Sequence, residues 1–199
     1  MIILASTSRT RQQLLNHAGI AFVSDAPRVD ERAVSASHPD WLPADMAVGL
    51  AQAKAIEVSD RHPQALVVGA DQVLAIDSRT FSKPRDQEDC RSQLMELRGN
   101  THCLISGVVA ARAGQILWSH YDEARLTMRS FSDTFLDTYL RQTGVDCTSS
   151  VGGYKIEGLG IQLFDSVDGD HFTILGLPLL PLLSFLRHSE EIPTCSGHA

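Results

Sequence analysis

Several short stretches of this sequence combine residue types that could do chemistry. Ser6-Thr7-Ser8-Arg9-Thr10-Arg11 sets hydroxyls and arginines on a turn between an apolar run and a helical one. Free backbone N–H groups at a helix start, the positive end of its dipole and an arginine together make a phosphate cradle. Ser8 as a plain helix cap is the other reading, since serine is a preferred cap. Asp71 follows the apolar run Ala65-Leu66-Val67-Val68-Gly69-Ala70. A carboxylate at the end of such a strand needs water, a cation or a metal, and an Asx turn would account for it equally. Lys54 falls about 80° around a helix from Met46, at the border of an apolar face. Lys83 precedes Pro84, which holds the lysine backbone extended. Each lysine either reaches into a cleft or lies in solvent.

A further stretch, Gly152 to Gly160, carries Tyr154, Lys155 and Glu157 among four glycines. Its backbone can approach a ligand closely, or it is a flexible surface loop. It matches neither GxGxxG nor a Walker A loop. Asp30-Glu31 and Asp168/Asp170 could hold a divalent ion or simply solvate loops. The eight histidines show no ligand spacing, and no GxSxG elbow is present. Cys90, Cys103, Cys147 and Cys195 form no CxxC pair, so reduced thiols are expected rather than zinc or disulfides.

The elements that must position these residues alternate. Ile2–Ala5 reads as a buried strand, Arg9 to Ala18 as a helix stopped by Gly19, and Phe22-Val23 as a second strand before the charged loop Asp30-Glu31-Arg32. Leu42, Met46, Leu50 and Ala53 mark one face of a helix running to about Val58. Ala65–Val68 and Val73–Ile76 read as strands interrupted by Gly69-Ala70-Asp71-Gln72. Cys90, Leu94 and Leu97 space a helix ending before Gly99. His102 to Leu126 reads as a hairpin turning at Arg112-Ala113-Gly114. A helix with Ser132 as N-cap follows, then a strand at Ile161–Val167 and a last helix from about Pro178 to Leu186. Interleaved strands and helices with a hairpin in the middle predict an α/β fold: a mixed twisted sheet with flanking helices.

A chain of 199 residues buries roughly 70% of its unfolded surface, which suits one domain. Its 43% hydrophobic and 21% charged residues are globular. Seventeen Lys and Arg against 24 Asp and Glu, a net charge of -7, speak against a nucleic-acid partner but leave a small anionic substrate open. Met1 to Ala5 lacks a basic n-region, so no signal peptide is expected. Phe172 to Leu186 is too short to span a bilayer and contains Pro178 and Pro181. The expectation is a cytoplasmic protein with no membrane segment, a domain over residues 1–187 and a flexible tail over 188–199.

Taken together, the stretches resemble the Maf-like family of nucleoside triphosphate pyrophosphatases, which share the two-lobed ITPase-like fold with a central cleft. The landmarks run in order from about Ile3 to Leu186: Leu4-Ala5-Ser6-Thr7-Ser8 with Arg11, Asp30-Glu31, Ala53-Lys54-Ala55, Gly69-Ala70-Asp71-Gln72, Lys83-Pro84, Ser106-Gly107-Val108, Gly153-Tyr154 through Glu157-Gly158, and Gly176-Leu177-Pro178. The resemblance implies hydrolysis of a nucleoside triphosphate between its α- and β-phosphates with Mg²⁺, Mn²⁺ or a similar divalent ion. It assigns phosphate binding to Ser8, Arg11, Lys54 and Lys83, the metal to Glu31 and Asp71, and the general base to Asp71. It assigns the base pocket to Thr10, Gln72 and Glu157. Gln72 and Lys155-Ile156-Glu157-Gly158 look more like the 7-methyl-GTP branch than the dTTP/UTP branch. A homodimer is compatible with the resemblance, and a non-catalytic nucleotide-binding regulator linked to septum formation is the rival from another class.

Overall fold

The computed structural model describes residues 1–193. Residues 194–199, which include Cys195 and half of the expected tail, lie outside them. Strand β1 (Ile2–Ala5) is buried along its whole length and lies parallel between β2 (Phe22–Ser24) and the first part of β3 (Leu66–Ile76). β3 is one continuous strand rather than two. Its parallel pairing with β1 ends at Ala5 opposite Gly69, while its antiparallel pairing with β5 (Thr101–Arg112) runs on from Val67 to Ala75. Asp71 therefore sits in mid-strand, just beyond the point where its neighbour on one side stops. β4 (Arg79–Phe81) folds back on the end of β3. β6 (Gln115–Met128) follows β5 through Ala113 and Gly114, both at positive φ as a tight hairpin turn requires. β7 (Phe164–Asp168), shorter than the expected strand from Ile161, completes a seven-stranded mixed sheet in the order β2-β1-β3-β5-β6-β7, with β4 paired to β3.

Helix α1 (Arg9–His17) begins at Ser8 and closes at Gly19, whose φ is +71°. The expected loop at Asp30-Glu31-Arg32 is instead the start of α2 (Glu31–Ala36), with Asp30 as N-cap; no residue of this short helix is buried, so no apolar period announced it. Helix α3 (Pro43–Arg61) lies along one face of β3 and β5. Its buried face is Ala47, Leu50, Ala51, Lys54, Ala55 and Val58; of the expected Leu42–Met46–Leu50–Ala53 stripe only Leu50 belongs to it, and Leu42 is exposed. The reason is the closeness of the contact. A Cβ added to Gly69 would stand 2.2 Å from the Ala51 carbonyl oxygen, and one added to Gly107 would stand 2.6 Å from the Ala47 carbonyl. Only small residues fit at that distance.

Residues alternate in direction along a strand, so the other face of β3 and β5 carries Leu66, Val68, Ala70, Gln72 and Leu74, and Leu104, Ser106, Val108 and Ala110. Two cores cover this face. One joins Val68 and Val108 to Leu14 and Leu15 of α1 and to Leu182 and Leu186 of α7 (Leu179–His188). The second joins Leu74 and Leu104 to Leu94 and Leu97 of α4 (Gln87–Leu97) and to Leu136 and Tyr139 of α5 (Asp133–Thr143). Gln72 and Ser106 stand between the two, beneath the single turn α6 (His171–Ile174). After α7, Glu191 pairs with Arg112 and Ile192 packs on the first core.

Candidate active site

The turn after β1 delivers its hydroxyls to the start of α1. Ser8 caps the helix, its Oγ accepting from the Arg11 N–H at 3.4 Å, and the Ser6 Oγ accepts from the Ser8 N–H at 3.2 Å. Arg11 turns inward from the first turn of α1. Its Nε donates to the Gly176 carbonyl at 2.7 Å and its Nη1 to the Ala70 carbonyl at 2.8 Å. Burial pulls the guanidinium pKa down, while the charges of Asp71 and Glu31 push it back up. Among the described residues no hydrogen bond uses Nη2, so one arm of the guanidinium is left for a ligand.

Lys54 emerges from the sheet-facing side of α3 beside Ala55. Its Nζ lies 2.5 Å from Asp71 Oδ1 and 2.8 Å from Glu31 Oε1. The lysine and aspartate side chains are almost fully buried, whereas Glu31 is half exposed. Asp30 fixes Glu31 at the mouth by capping α2 through the Arg32 and Ala33 N–H groups. Burial raises the Asp71 pKa above the ordinary carboxylate value; Lys54 and Arg11 act against that rise, and Glu31 adds to it. Two cations and two carboxylates from α1, α2, α3 and β3 thus meet at the end of β1, where sheets of this kind bind ligands.

Glu31 and Asp71 are the residues that could hold a divalent cation. They are hard oxygen donors that already share one cationic group, and no cluster of three or more His, Cys, Asp or Glu suited to a metal forms among the described residues. Such a pair fits an ion of the Mg²⁺ type, which takes one or two carboxylates and completes its shell with water and substrate phosphates.

The remaining expected residues are placed differently. Lys83 is exposed beside buried Pro84 and makes no hydrogen bond or ion pair among the described residues. Thr10 is half-buried in the first turn of α1, and Glu157 is exposed and has no partner among the described residues. Gln72 points to the face opposite Asp71, where its amide nitrogen meets Ser106 Oγ and the Thr173 and Ile174 carbonyls. Gly152, Gly153 and Tyr154 are core residues rather than an open loop. Gly153 packs on Cys90, its carbonyl accepts from the Tyr139 hydroxyl at 3.0 Å, and the Tyr154 hydroxyl lies 2.6 Å from His102 Nε2. Arg11 Nη1 also lies 3.5 Å from Ser6 Oγ, and sequence reasoning missed both Ser6 and Gly176 as its partners; a serine two residues before the cap was the one available signal for the first.

A family model described as Maf-like protein matches residues 1–189. The chain is 53% identical over 192 residues to a nucleoside triphosphate pyrophosphatase of Paramagnetospirillum magneticum, covering 96% of this chain and 99% of that protein. It is 48% identical over 193 residues to a 7-methyl-GTP pyrophosphatase of Brucella abortus, covering 96% of this chain and 97% of that one. A crystal structure of a nucleoside-triphosphatase, dITP/XTP pyrophosphatase, from Mycobacterium abscessus aligns with a TM-score of 0.43 at 13% identity, over 96% of this chain and 97% of that chain.

Proposed function

Because the chain belongs to the Maf-like protein family, we propose that it hydrolyses a nucleoside triphosphate between the α- and β-phosphates, giving a nucleoside monophosphate and pyrophosphate. The observation that carries this reading is the meeting of buried Lys54 and Asp71 with Arg11 and half-exposed Glu31 at one strand end. Phosphoanhydride hydrolysis asks a protein chiefly to neutralise and position charge, and a water must lose a proton as it attacks.

Ser8, Arg11 and Lys54 bind phosphate oxygens in this scheme, and exposed Lys83 joins them from the rim. Asp71 accepts the proton of the attacking water. Its Oδ1 is held by Lys54, which orients the carboxylate, and its Oδ2 bonds to no described residue. Glu31 and Asp71 would hold a divalent cation such as Mg²⁺ or Mn²⁺, which when bound neutralises phosphate charge. Thr10 and Glu157 shape the base side. A 7-methylguanine carries positive charge, and the Glu157 carboxylate, exposed and paired with no described residue, suits it. We propose 7-methyl-GTP as the preferred substrate for that reason, supported by the relative of that name. No helix among the described residues is long and apolar enough to cross a membrane, and we expect the enzyme where nucleotides are, in the cytoplasm.

The test is pyrophosphate release from a panel of 7-methyl-GTP, GTP, dTTP, UTP and 5-methyl-UTP in Mg²⁺ or Mn²⁺. Pyrophosphate as the first product, fastest from 7-methyl-GTP, is the expected result. Inorganic phosphate as the sole product would overturn the reaction, and dTTP or UTP as the best substrate would overturn the base preference.

A further inference from the structure

The loop that delivers Glu31 to the site runs over residues 25–30 without regular structure, and α2 beyond it buries no residue. Apolar packing therefore does not hold this arm in place. Polar contacts with the C-terminal half of α3 do. Arg61 uses every nitrogen of its guanidinium. Nη1 donates to Asp25 Oδ2 at 2.5 Å and Nη2 to the Ala26 carbonyl at 3.0 Å. Nε donates to Glu57 Oε1 at 2.9 Å, and Nη2 reaches Glu57 Oε2 at 3.1 Å. Glu57, held through both oxygens, also accepts from the Arg28 N–H at 3.0 Å. His62 Nε2 lies 2.7 Å from the same Asp25 oxygen, and the Asp25 N–H donates to the Leu4 carbonyl at 3.1 Å, which ties the start of the arm to β1.

Lys54, Glu57 and Arg61 follow one another at spacings of three and four residues, so they share one face of α3. Taken from the C-terminal end of the helix, they meet residues 26, 28 and 31 of the arm in order. The last of these three rungs differs from the others. Lys54 is shared with Asp71 and binds phosphate in the proposed scheme, so its hold on Glu31 weakens when a substrate arrives. The contacts of Glu57 and Arg61 involve no member of the charged cluster and persist. A partly exposed ion pair within one helix adds little stability by itself; here each member also takes a backbone group of the arm. We infer that Glu57 and Arg61 are positioning residues, a tether that keeps Glu31 beside Asp71 to hold a divalent cation once Lys54 turns to the phosphates. The inference rests on the reading of Glu31 as a metal donor in the pyrophosphatase scheme.

The test measures binding of Mn²⁺ alone, through loss of the free-ion electron paramagnetic resonance signal, and the Mg²⁺ concentration for half-maximal pyrophosphate release. The variants are Glu57→Met, Glu57→Gln and Arg61→Met, each also combined with Glu31→Gln. Glu57→Met and Arg61→Met should both weaken Mn²⁺ about three- to tenfold, because a smaller fraction of the protein holds the arm in the binding position. The two change the local charge in opposite directions. A plain field effect would therefore move their affinities apart, and that result would overturn the inference. Glu57→Gln keeps an acceptor for the Arg28 N–H and should stay within about twofold of the wild type; a loss equal to that of Glu57→Met would overturn the tether. Combined with Glu31→Gln, neither Glu57→Met nor Arg61→Met should weaken Mn²⁺ further, since the tether acts through Glu31. An undiminished further loss would overturn it. The Mg²⁺ requirement should rise in parallel with kcat at saturating metal nearly kept. If Glu31→Gln weakens Mn²⁺ but Glu57→Met and Arg61→Met do not, the tether falls and the metal reading stands. A wild type that binds no Mn²⁺ would overturn both. A wild type that releases no pyrophosphate, with Glu57→Met and Arg61→Met still losing Mn²⁺, would end the reaction reading and leave the tether standing.

Discussion

Lys54 Nζ and Asp71 Oδ1 stand 2.5 Å apart across the contact of α3 with β3, both buried, and the same ammonium reaches Glu31 on α2. A buried ion pair is weak evidence of stability, because apolar replacements of equal size often do as well. Its place in this molecule is better explained by chemistry: the lysine keeps two carboxylates facing one point until a ligand arrives.

Asp71→Asn should lower pyrophosphate release by roughly 10²–10⁴-fold, the usual worth of a positioned base, with the circular dichroism spectrum unchanged. Substantial retained turnover would remove Asp71 from that role.

Burial holds the Asp71 pKa above its ordinary 3.8, and Lys54 is the largest influence acting against it. Lys54→Met should therefore move the Asp71 titration still higher in metal-free protein, as read by carboxyl carbon NMR. A downward move would contradict the assignment of the Lys54 charge as a partner of Asp71.

Chelation with EDTA should abolish turnover, and excess Mg²⁺ or Mn²⁺ should restore it. Glu31→Gln should raise the metal concentration needed for half-maximal rate, since it deletes one of only two carboxylate donors. An unchanged metal requirement in that variant would take Glu31 out of the ion's shell.

Burial lowers His102 from 6.5 to about 4, so the folded chain resists a proton that the unfolded chain accepts. A depressed folded pKa leaves stability whole above about pH 6.5 and erodes it as the pH falls toward 4. Urea unfolding should show a loss of about 2 kcal/mol from this group between pH 7 and pH 5. His102→Gln should show a flatter profile over that range.

Gly69→Ala and Gly107→Ala should each destabilise the protein by about 1–3 kcal/mol or more, because the new methyl meets helix backbone rather than a movable side chain. Turnover should fall beyond the loss of folded protein, as α3 is displaced and Lys54 with it. Thermal unfolding and activity measured on the same samples would separate the two effects.

Strand β1, helix α1, the β5–β6 hairpin and the Ser132 cap were legible because each is a local pattern: an apolar run, a stop glycine, alternation about a turn, a hydroxyl before a helix. Asp71 was read as a strand end because the property that opens its surroundings belongs to β1, which stops short, and not to its own strand. The α3 face was misread because a helix pressed on glycines buries alanines, which carry little periodic signal. The glycine pair at 152–153 was read as a loop, whereas its positive φ angles serve core packing against Leu74 and Cys90. The charged residues themselves were visible as types. Their convergence on Lys54 depends on helix spacing that no short window of sequence contains.

Where α3 crosses Gly69 and Gly107 its contact with the sheet is made through backbone, methyl groups and two bare Cα atoms, and that closeness has an evolutionary consequence. It leaves no compressible layer whose repacking could retune the charged cluster by small steps. Substrate differences among proteins built this way are then expected to arise at residues away from that contact, while the spacing of the phosphate chemistry stays tied to the dimensions of the peptide chain.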